Sequence, residues 1–153
     1  MKAAIVEITE GNMALFDNIA DDVFDAPIEP ERLQAFVASP AQSLFVALAG
    51  DTVIGQGRGL AYHRPDMAPE LFIDNLGVTA AHRRRGVATA LIEAILNWGE
   101  KLGCSTFWVA TEADNKPAIA LYETFKWKTE GVAMFHGVFR NKAQERDSAR
   151  SKI

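Results

Sequence analysis

The residues that point most directly to chemistry are three consecutive arginines, Arg83, Arg84 and Arg85, followed by Gly86. They separate an apolar run at 71–78 from a stretch with apolar residues at helical spacing, which predicts strand, basic turn and helix. The first turn of a helix carries unpaired backbone N–H groups and a partial positive charge. Gly86 lets a ligand approach the backbone, and guanidinium groups match phosphate oxygens. The junction therefore predicts a site for a large anion such as phosphate.

The positions of the glycines argue against two common phosphate-binding loops. No Gly-x-x-x-x-Gly-Lys-[Ser/Thr] sequence occurs, and no Gly-x-Gly-x-x-Gly follows the first strand. Three arginines and a glycine by themselves also suit a solvated basic helix start that binds nothing. At the level of this motif both interpretations stay open.

The elements that must position the basic turn alternate along the chain. We expect strands at 3–8, 43–49, 52–62, 71–78 and 104–111, with a last strand region at 126–129 and 134–139. We expect helices at 13–24, 30–38, 84–102 and 117–125. Glycines at 55, 57 and 59 alternate along one strand, which favours close packing of another element over a ligand. The pattern predicts an α/β or α+β fold with a mixed sheet at 1–140, followed by a charged tail at 141–153.

Composition and charge are those of an ordinary globular chain. Hydrophobic residues make up 48% and charged residues 24% of the 153 residues. The net charge of −4 argues against general nucleic-acid binding. With Cys104 as the only cysteine, and no signal-like or membrane-spanning apolar run, we expect a cytoplasmic protein that does not bind a membrane. The three histidines lack metal-ligand spacing, so we expect no metal.

Two motifs in order resemble the GCN5-related N-acetyltransferase (GNAT) family. Residues 83–88 are similar to its Gln/Arg-x-x-Gly-x-Gly/Ala loop, and residues 113–122 resemble its Asn-x-x-Ala-x-x-Leu-Tyr segment. The strand end at 76–78 resembles the family's Leu-x-Val. The resemblance implies a single GNAT-like domain with six or seven strands, about four helices and acetyl-coenzyme A as cosubstrate. The cosubstrate-binding residues it implies are Leu76, Gly77, Val78, Arg83, Arg84, Arg85, Gly86, Val87, Ala88, Thr89, Asn115, Ala118 and Tyr122.

The same resemblance implies how an acetyl group would pass from the thioester to an amine. Tyr122 resembles the tyrosine that this family uses as general acid toward the departing sulfur, which suits a phenol with a pKa of about 10. Backbone N–H groups near 76–78 are implied to stabilise the developing oxyanion. We expect Asp74 to be the base, with Glu70 or a partly deprotonated substrate as alternatives. A bond from Asp74 to a neighbouring backbone group explains this residue equally well.

The order of the motifs looks most like the aminoglycoside 3-N-acetyltransferase branch, which implies a cationic aminosugar as acceptor and antibiotic resistance as a role. Acidic residues at 21, 22, 25 and 29 would attract such a cation, although a solvated surface also explains them. The substrate-binding residues we expect are Asp25, Glu70, Asp74 and Asn75. A protein or peptide N-acetyltransferase and a non-catalytic acetyl-coenzyme A sensor are the alternatives. Many relatives are dimers, so a homodimer is possible.

Overall fold

The structure, a computed structural model, describes residues 2–139. In that range the strands are β1 (Ala4–Glu7), β2 (Gln42–Ala49), β3 (Thr52–Tyr62), β4 (Glu70–Val78) and β5 (Thr106–Val109). The helices are α1 (Pro30–Val37), α2 (Val87–Lys101) and α3 (Lys116–Glu123), with short 3₁₀ helices at Met13–Asp17 and Ala80–His82. The chain forms two compact units that divide after Ala110. The tail expected at 141–153 lies outside the described residues.

A mixed sheet in the order β1-β2-β3-β4-β5 organises the first unit. The first four strands pair antiparallel, and β4 pairs parallel with β5. Parallel neighbours need a crossover connection, which α2 provides. The mixed sheet predicted from the sequence is confirmed. It has five strands within residues 2–139, where six or seven were expected, and three α-helices, where about four were expected.

Helix α2 packs directly against glycine positions of the sheet. A Cβ atom on Gly57 or on Gly59 would lie 2.8 Å from a side-chain carbon of Ile95. Near the other end of the helix, a Cβ atom on Gly99 would lie 2.6 Å from Leu71 Cδ2. Carbon atoms do not approach so closely without repulsion. The helix therefore reaches the sheet because these positions lack side chains, and the packing interpretation of the alternating glycines is confirmed.

The opposite face of the sheet supports the N-terminal segment. Side chains alternate along a strand, so Gln56 and Arg58 point away from α2. An apolar cluster anchors the segment before β2 to the sheet, and its buried members are Ile8, Val23, Leu33, Leu44, Val46 and Val53. A Cβ atom on Gly77 would lie 2.5 Å from the carbonyl oxygen of Val23. Gly77 thus allows the backbone at Val23 to cross close to β4.

The helix expected at 13–24 is wrong. Only Met13–Asp17 is helical, as a 3₁₀ turn, and Ile19 instead forms a parallel bridge with Val53. The Val53 N–H donates to Asn18 O, and the Ala20 N–H donates to Val53 O, both at 2.9 Å. Pairing with the start of β3 therefore replaces the intrahelical bonds that the apolar spacing indicated, a case of tertiary contacts overriding local preference.

The other element boundaries follow the sequence closely, except at the basic turn. Arg84 and Gly86 have φ values of 60° and 79°, which no helix contains, so α2 begins at Val87 and not at residue 84. Gly103, with φ of 86°, follows the helix and confirms its expected end. The remaining boundaries lie within two residues of those expected.

The second unit contains α3. Asn115 caps this helix, since its Oδ1 accepts a hydrogen bond from the Ala118 N–H at 3.2 Å. The rings of Phe125 and Trp127 stack with centroids 4.5 Å apart. The last strand region expected at 126–129 and 134–139 is wrong, because the structure contains no strand between α3 and residue 139. Strand-forming residues make a strand only where a neighbouring strand pairs with their backbone.

Candidate active site

The N-terminus of α2 is open. Gly86 is exposed in the left-handed conformation, and a Cβ atom placed there would meet nothing within 4 Å. The first intrahelical bond runs from the Ala90 N–H to Gly86 O at 3.0 Å, and no side chain caps the helix. The N–H groups of Val87, Ala88 and Thr89 therefore precede the first helical bond and can donate to an anion.

The basic turn is tied to the end of β4. The Thr79 N–H donates to Ile54 O at 2.9 Å, which continues the contact between β4 and β3 beyond the last strand residue. Arg83 Nε donates to Val78 O at 2.9 Å, so this arginine braces the turn with part of its guanidinium group. Arg84 and Arg85 are exposed beside Gly86. Two of the three predicted arginines are thus available to a ligand at the helix start.

The second half of β4 has an unpartnered edge. Pairing with β5 runs from Glu70 with Thr106 to Ile73 with Val109 and stops there. On its other side β4 stays paired with β3 up to Val78. Within residues 2–139, no strand pairs with the 74–78 stretch on the β5 side. Its backbone groups there can bind an extended ligand in the way a neighbouring strand would.

Both carboxylates predicted as the base are ion-paired with arginines. Asp74 is the extra residue of a bulge in β4, and its Oδ2 lies 2.9 Å from Arg58 Nη2. Glu70 Oε1 lies 3.4 Å from Arg64 Nη1. The Asp74 side chain stays 42% exposed, so water or an amine can reach it. A bulge commonly redirects a side chain next to a site, and here it projects a carboxylate that Arg58 holds in place.

A buried amide network lies next to this ion pair. Gln56 is 1% exposed, and its Nε2 donates to Asn75 Oδ1 and lies 3.4 Å from Val23 O. Asn75 faces Arg58 across the β3–β4 ladder, and Gly77 faces Gln56. Asn75, which the sequence analysis predicts to bind the substrate, is therefore held by Gln56, which was not predicted as a site residue.

The same face of the sheet carries an exposed aromatic stack. Phe72 and Trp108 are paired across β4 and β5, with ring centroids 4.0 Å apart and planes inclined by 14°. Trp108 is 48% exposed. Aromatic faces next to carboxylates attract cations, since the ring quadrupole and the negative charge act in the same direction. Here the neighbouring carboxylates are Glu70 and Asp74, and the arginines paired with them offset their charge, so the ring faces are the main attraction for a cation.

The acidic residues at 21, 22, 25 and 29, expected near the substrate, differ in exposure and in their partners. Asp21 and Asp22 are exposed, and Asp25 is half-buried, two residues beyond the Val23 carbonyl that approaches Gly77. Glu29 lies 2.8 Å from Arg32 in an exposed ion pair. The structure thus places residues 21–25 beside the second half of β4. Glu29, in contrast, precedes α1 and pairs with Arg32 of that helix.

Tyr122 and the other downstream residues lie in the second unit. Asn115 and Ala118 form the N-cap bond of α3, and the Tyr122 ring lies over Trp127 with centroids 6.1 Å apart. Burial raises the pKa of the Tyr122 phenol above its ordinary value of 10.0. Its hydroxyl is therefore protonated and able to donate at neutral pH.

Sequence reasoning missed Gln56, Arg58 and the Val23 carbonyl. Polar side chains at 56 and 58 alternate with the glycines at 55, 57 and 59, and this signal could have identified one polar face on a buried strand. No pattern in the sequence indicated that Val23 would cross the sheet at Gly77. Among residues 2–139, no group of three or more histidine, cysteine, aspartate or glutamate side chains is arranged to hold a metal ion. None of the helices in that range combines the length and apolar character needed to cross a bilayer.

The geometry defines an α/β protein with an uncapped helix start beside an open strand edge. The sequence profile of the Acetyltransferase (GNAT) family matches residues 13–127, which is more than half of the chain. The chain therefore belongs to the GNAT acetyltransferase family.

Individual relatives match over shorter stretches. The [Ribosomal protein bS18]-alanine N-acetyltransferase of Escherichia coli (strain K12) is 38% identical over 55 residues, which cover 36% of this chain and 37% of that protein. The Aminoglycoside N(6′)-acetyltransferase type 1 of Salmonella typhimurium (strain LT2) is 32% identical over 96 residues, which cover 60% of this chain and 66% of that enzyme. The chain thus spans less than two thirds of these relatives.

A solved structure shares the fold. AAC(6′)-Iy, in complex with the bisubstrate analogue CoA-S-monomethyl-acetylneamine, superposes with a TM-score of 0.77. The alignment covers 91% of this chain and 99% of that one, at 18% sequence identity. The predicted α/β fold with a GNAT-like architecture is thereby confirmed.

Proposed function

We propose that the chain is an acetyl-coenzyme A-dependent N-acetyltransferase that acetylates a primary amine of a small cationic acceptor of the aminoglycoside class. The open start of α2 carries this proposal, because it offers N–H donors and two arginines next to an unpartnered strand edge. Each of these features lies in the first unit.

The helix start fits the pyrophosphate of acetyl-coenzyme A. The space a Cβ atom would fill at Gly86 is open, and the N–H groups of Val87, Ala88 and Thr89 have no intrahelical acceptor. Arg84 and Arg85 add charge on the exposed side. When bound, acetyl-coenzyme A supplies an acetyl group activated as a thioester. Backbone groups at 76–78 hold the extended arm and the carbonyl oxygen along the free edge of β4.

Tyr122 is proposed as the general acid. The raised pKa keeps its phenol protonated, so it can donate a proton to the sulfur as the thiolate departs. Asn115 orders the start of the helix that carries Tyr122. The roles of Tyr122 as the acid and of Asn115 as a cosubstrate-binding residue follow from the family motif at 113–122. The N-cap bond supports the second role, because it gives Asn115 a defined position.

Asp74 remains the proposed base. Its carboxylate is exposed enough to take the proton of the ammonium group through water, and the bond to Arg58 holds it at the bulge. Glu70 is the alternative, and its ion pair with Arg64 lies at the start of β4. Asp25, Glu70 and Asp74 remain the proposed acceptor-side carboxylates. Because arginines offset the charge of Glu70 and Asp74, the exposed Asp21 and Asp22 add the negative charge that favours a cation.

The aminosugar class of acceptor is supported by the Salmonella relative, whose name specifies the 6′ nitrogen. The motif order implies the 3-N branch, whereas the aminoglycoside relative named above is a 6′ enzyme, so the 3-N branch is not confirmed. We therefore propose an aminoglycoside acceptor without choosing between its amine nitrogens. Analysis of the acetylated product identifies the nitrogen that receives the acetyl group. A protein α-amine is the second candidate acceptor, favoured by the 38% identity to the ribosomal-protein enzyme.

A homodimer in the cytoplasm is also part of the proposal. Met134 and Phe135 are 69% and 93% exposed, and contiguous exposed apolar residues commonly mark an interface. Light scattering at several concentrations tests this point, and a monomer at all of them contradicts it.

Release of free coenzyme A, measured with a panel of amines, tests the activity. The panel contains aminoglycosides, simple polyamines and peptides with free N-termini. Turnover that depends on an aminoglycoside supports the proposal, and turnover with peptides alone supports the second candidate. Tight binding of acetyl-coenzyme A without turnover on any amine supports a sensor and refutes the enzyme.

A further inference from the structure

The amide of Gln56 can take only one orientation. Its side chain lies within hydrogen-bond distance of the Val23 carbonyl oxygen and of the Asn75 side-chain amide. A backbone carbonyl only accepts, so the Gln56 atom that faces Val23 must be the NH₂ group. The Asn75 atom that meets the same NH₂ group must then be the oxygen.

Rotation of Gln56 does not give an equivalent arrangement. Its Oε1 is buried and has no donor among residues 2–139. Rotation would offer Oε1 to the amide of Asn75, but it would also set that oxygen against the Val23 carbonyl. The NH₂ group would then occupy the place where no acceptor is present. The Val23 backbone lies close to β4 because Gly77 has no side chain, and its carbonyl oxygen therefore fixes the orientation of the Gln56 amide.

The fixed amide determines what Asn75 offers to a ligand. With its oxygen engaged by Gln56, Asn75 keeps an NH₂ group that donates to no group within residues 2–139 and is not buried. The neighbouring residue, Asp74, is an exposed carboxylate paired with Arg58. This part of β4 thus presents an acceptor for an ammonium group beside a donor for an oxygen.

We propose that Gln56 is a positioning residue that fixes Asn75 with its NH₂ group toward the acceptor, so that the site selects amines carrying an accepting oxygen close to the reacting nitrogen. Aminocyclitols and aminosugars have an accepting oxygen, either a hydroxyl group or the ring oxygen, on the carbon next to the one that bears the amine, whereas simple polyamines do not. The selection rests on the proposed acetyl transfer, and it adds to that proposal the residue pair, Gln56 and Asn75, that distinguishes amino alcohols from simple polyamines. A site built to bond a hydroxyl group discriminates strongly against the analogue that lacks it.

Two diamines with the same ring test the selection. The probes are 2-deoxystreptamine, which carries hydroxyl groups beside its amines, and cis-1,3-diaminocyclohexane, which does not. We expect the wild type to favour the hydroxylated diamine at least tenfold in kcat/KM. Gln56→Met should reduce that preference at least fivefold by raising KM for the hydroxylated diamine, while kcat and the KM for acetyl-coenzyme A stay within twofold of wild type.

Asn75→Ala and the double variant complete the cycle. Asn75→Ala should lose the same preference, and Gln56→Met with Asn75→Ala should be no worse than Asn75→Ala, because both changes remove one interaction. Gln34→Met, at an exposed position of α1, should match the wild type. A preference that survives in Gln56→Met, or losses that add in the double variant, would overturn the proposal.

A second measurement needs no turnover. If the wild type acetylates no amine, the proposed function fails, and the amide arrangement is tested by NMR of the side-chain NH₂ groups. We expect the Gln56 signal to exchange with deuterium at least tenfold more slowly than that of Gln34, and the Asn75 signal to move in Gln56→Met. Equal exchange at Gln56 and Gln34, or an unmoved Asn75 signal, would overturn the arrangement even in an active enzyme.

Discussion

Gly86→Ala separates cosubstrate binding from stability. Gly86 has φ of 79°, where a residue with a Cβ atom costs about 1–2 kcal/mol. For a chain of this size, that cost lowers Tm by about 2–8 °C. No atom lies within 4 Å of the added methyl group, so steric repulsion in the free protein adds nothing. The variant should therefore fold.

The same methyl group would occupy the space through which the proposed phosphate reaches the N–H groups of α2. Charge-assisted hydrogen bonds contribute about 1.5–3 kcal/mol each. Loss of one such bond should raise the Kd for acetyl-coenzyme A at least tenfold, since about 1.4 kcal/mol is one factor of ten. Isothermal titration of the purified variant measures this Kd, and thermal unfolding of the same sample measures Tm.

Gly103→Ala is the matched control. Gly103 has φ of 86°, lies directly after the same helix, and also has open space at the Cβ position. It should lose a similar amount of stability and bind acetyl-coenzyme A as the wild type does. Unchanged binding in Gly86→Ala would refute the phosphate site at the start of α2. Equal weakening in both variants would show that helix stability, and not the ligand contact, controls affinity.

The remaining predictions concern the acid, the base and the strand crossing. Tyr122→Phe should lower kcat by about 10²-fold or more while the Kd for acetyl-coenzyme A stays within twofold, as general acids contribute that much; equal kcat would remove the assignment. Because burial raises the pKa of Tyr122 above 10.0, kcat in the wild type should fall only as the pH rises past about 10, and a pH profile of Tyr122→Phe should lack that fall. Asp74→Asn should lower kcat/KM for the amine at least tenfold and Glu70→Gln less than threefold in parallel assays, whereas the reverse order would make Glu70 the base. Gly77→Ala should destabilise the protein by about 1–3 kcal/mol in urea unfolding, because its methyl group meets the backbone of Val23; an unchanged midpoint would contradict the close crossing.

Sequence patterns predicted the elements of the candidate site that are adjacent along the chain. The β4 strand, the basic turn and α2 follow one another in sequence, and apolar spacing with Gly86 and Gly103 is enough to locate them, apart from the start of α2, which is Val87 and not residue 84. The packing of α2 on β3 could also be predicted, since three alternating glycines leave room for a helix. These inferences need only periodicity and the special conformations of glycine.

Contacts between distant residues could not be predicted in this way. The spacing at 13–24 suits a helix, but the bridge from Ile19 to Val53 depends on where the sheet begins. The ion pair of Asp74 with Arg58 and the bond from Gln56 to Asn75 both depend on the register of β3 and β4, which includes a bulge. A bulge shifts the register by one residue, so the partner of Asp74 cannot be counted from the sequence.

Transfer of a labelled acetyl group tests the central claim most directly. Acetyl-coenzyme A carrying a deuterated acetyl group is incubated with the purified chain and an aminoglycoside, and the acceptor is analysed by mass spectrometry with fragmentation. We expect one intact labelled acetyl group on an amine nitrogen of the acceptor, together with an equal amount of free coenzyme A. In Gly86→Ala, the rate of labelling should fall together with the affinity for acetyl-coenzyme A. An unlabelled acceptor after the chain has bound acetyl-coenzyme A, with every amine in the panel, would contradict the proposed acetyl transfer.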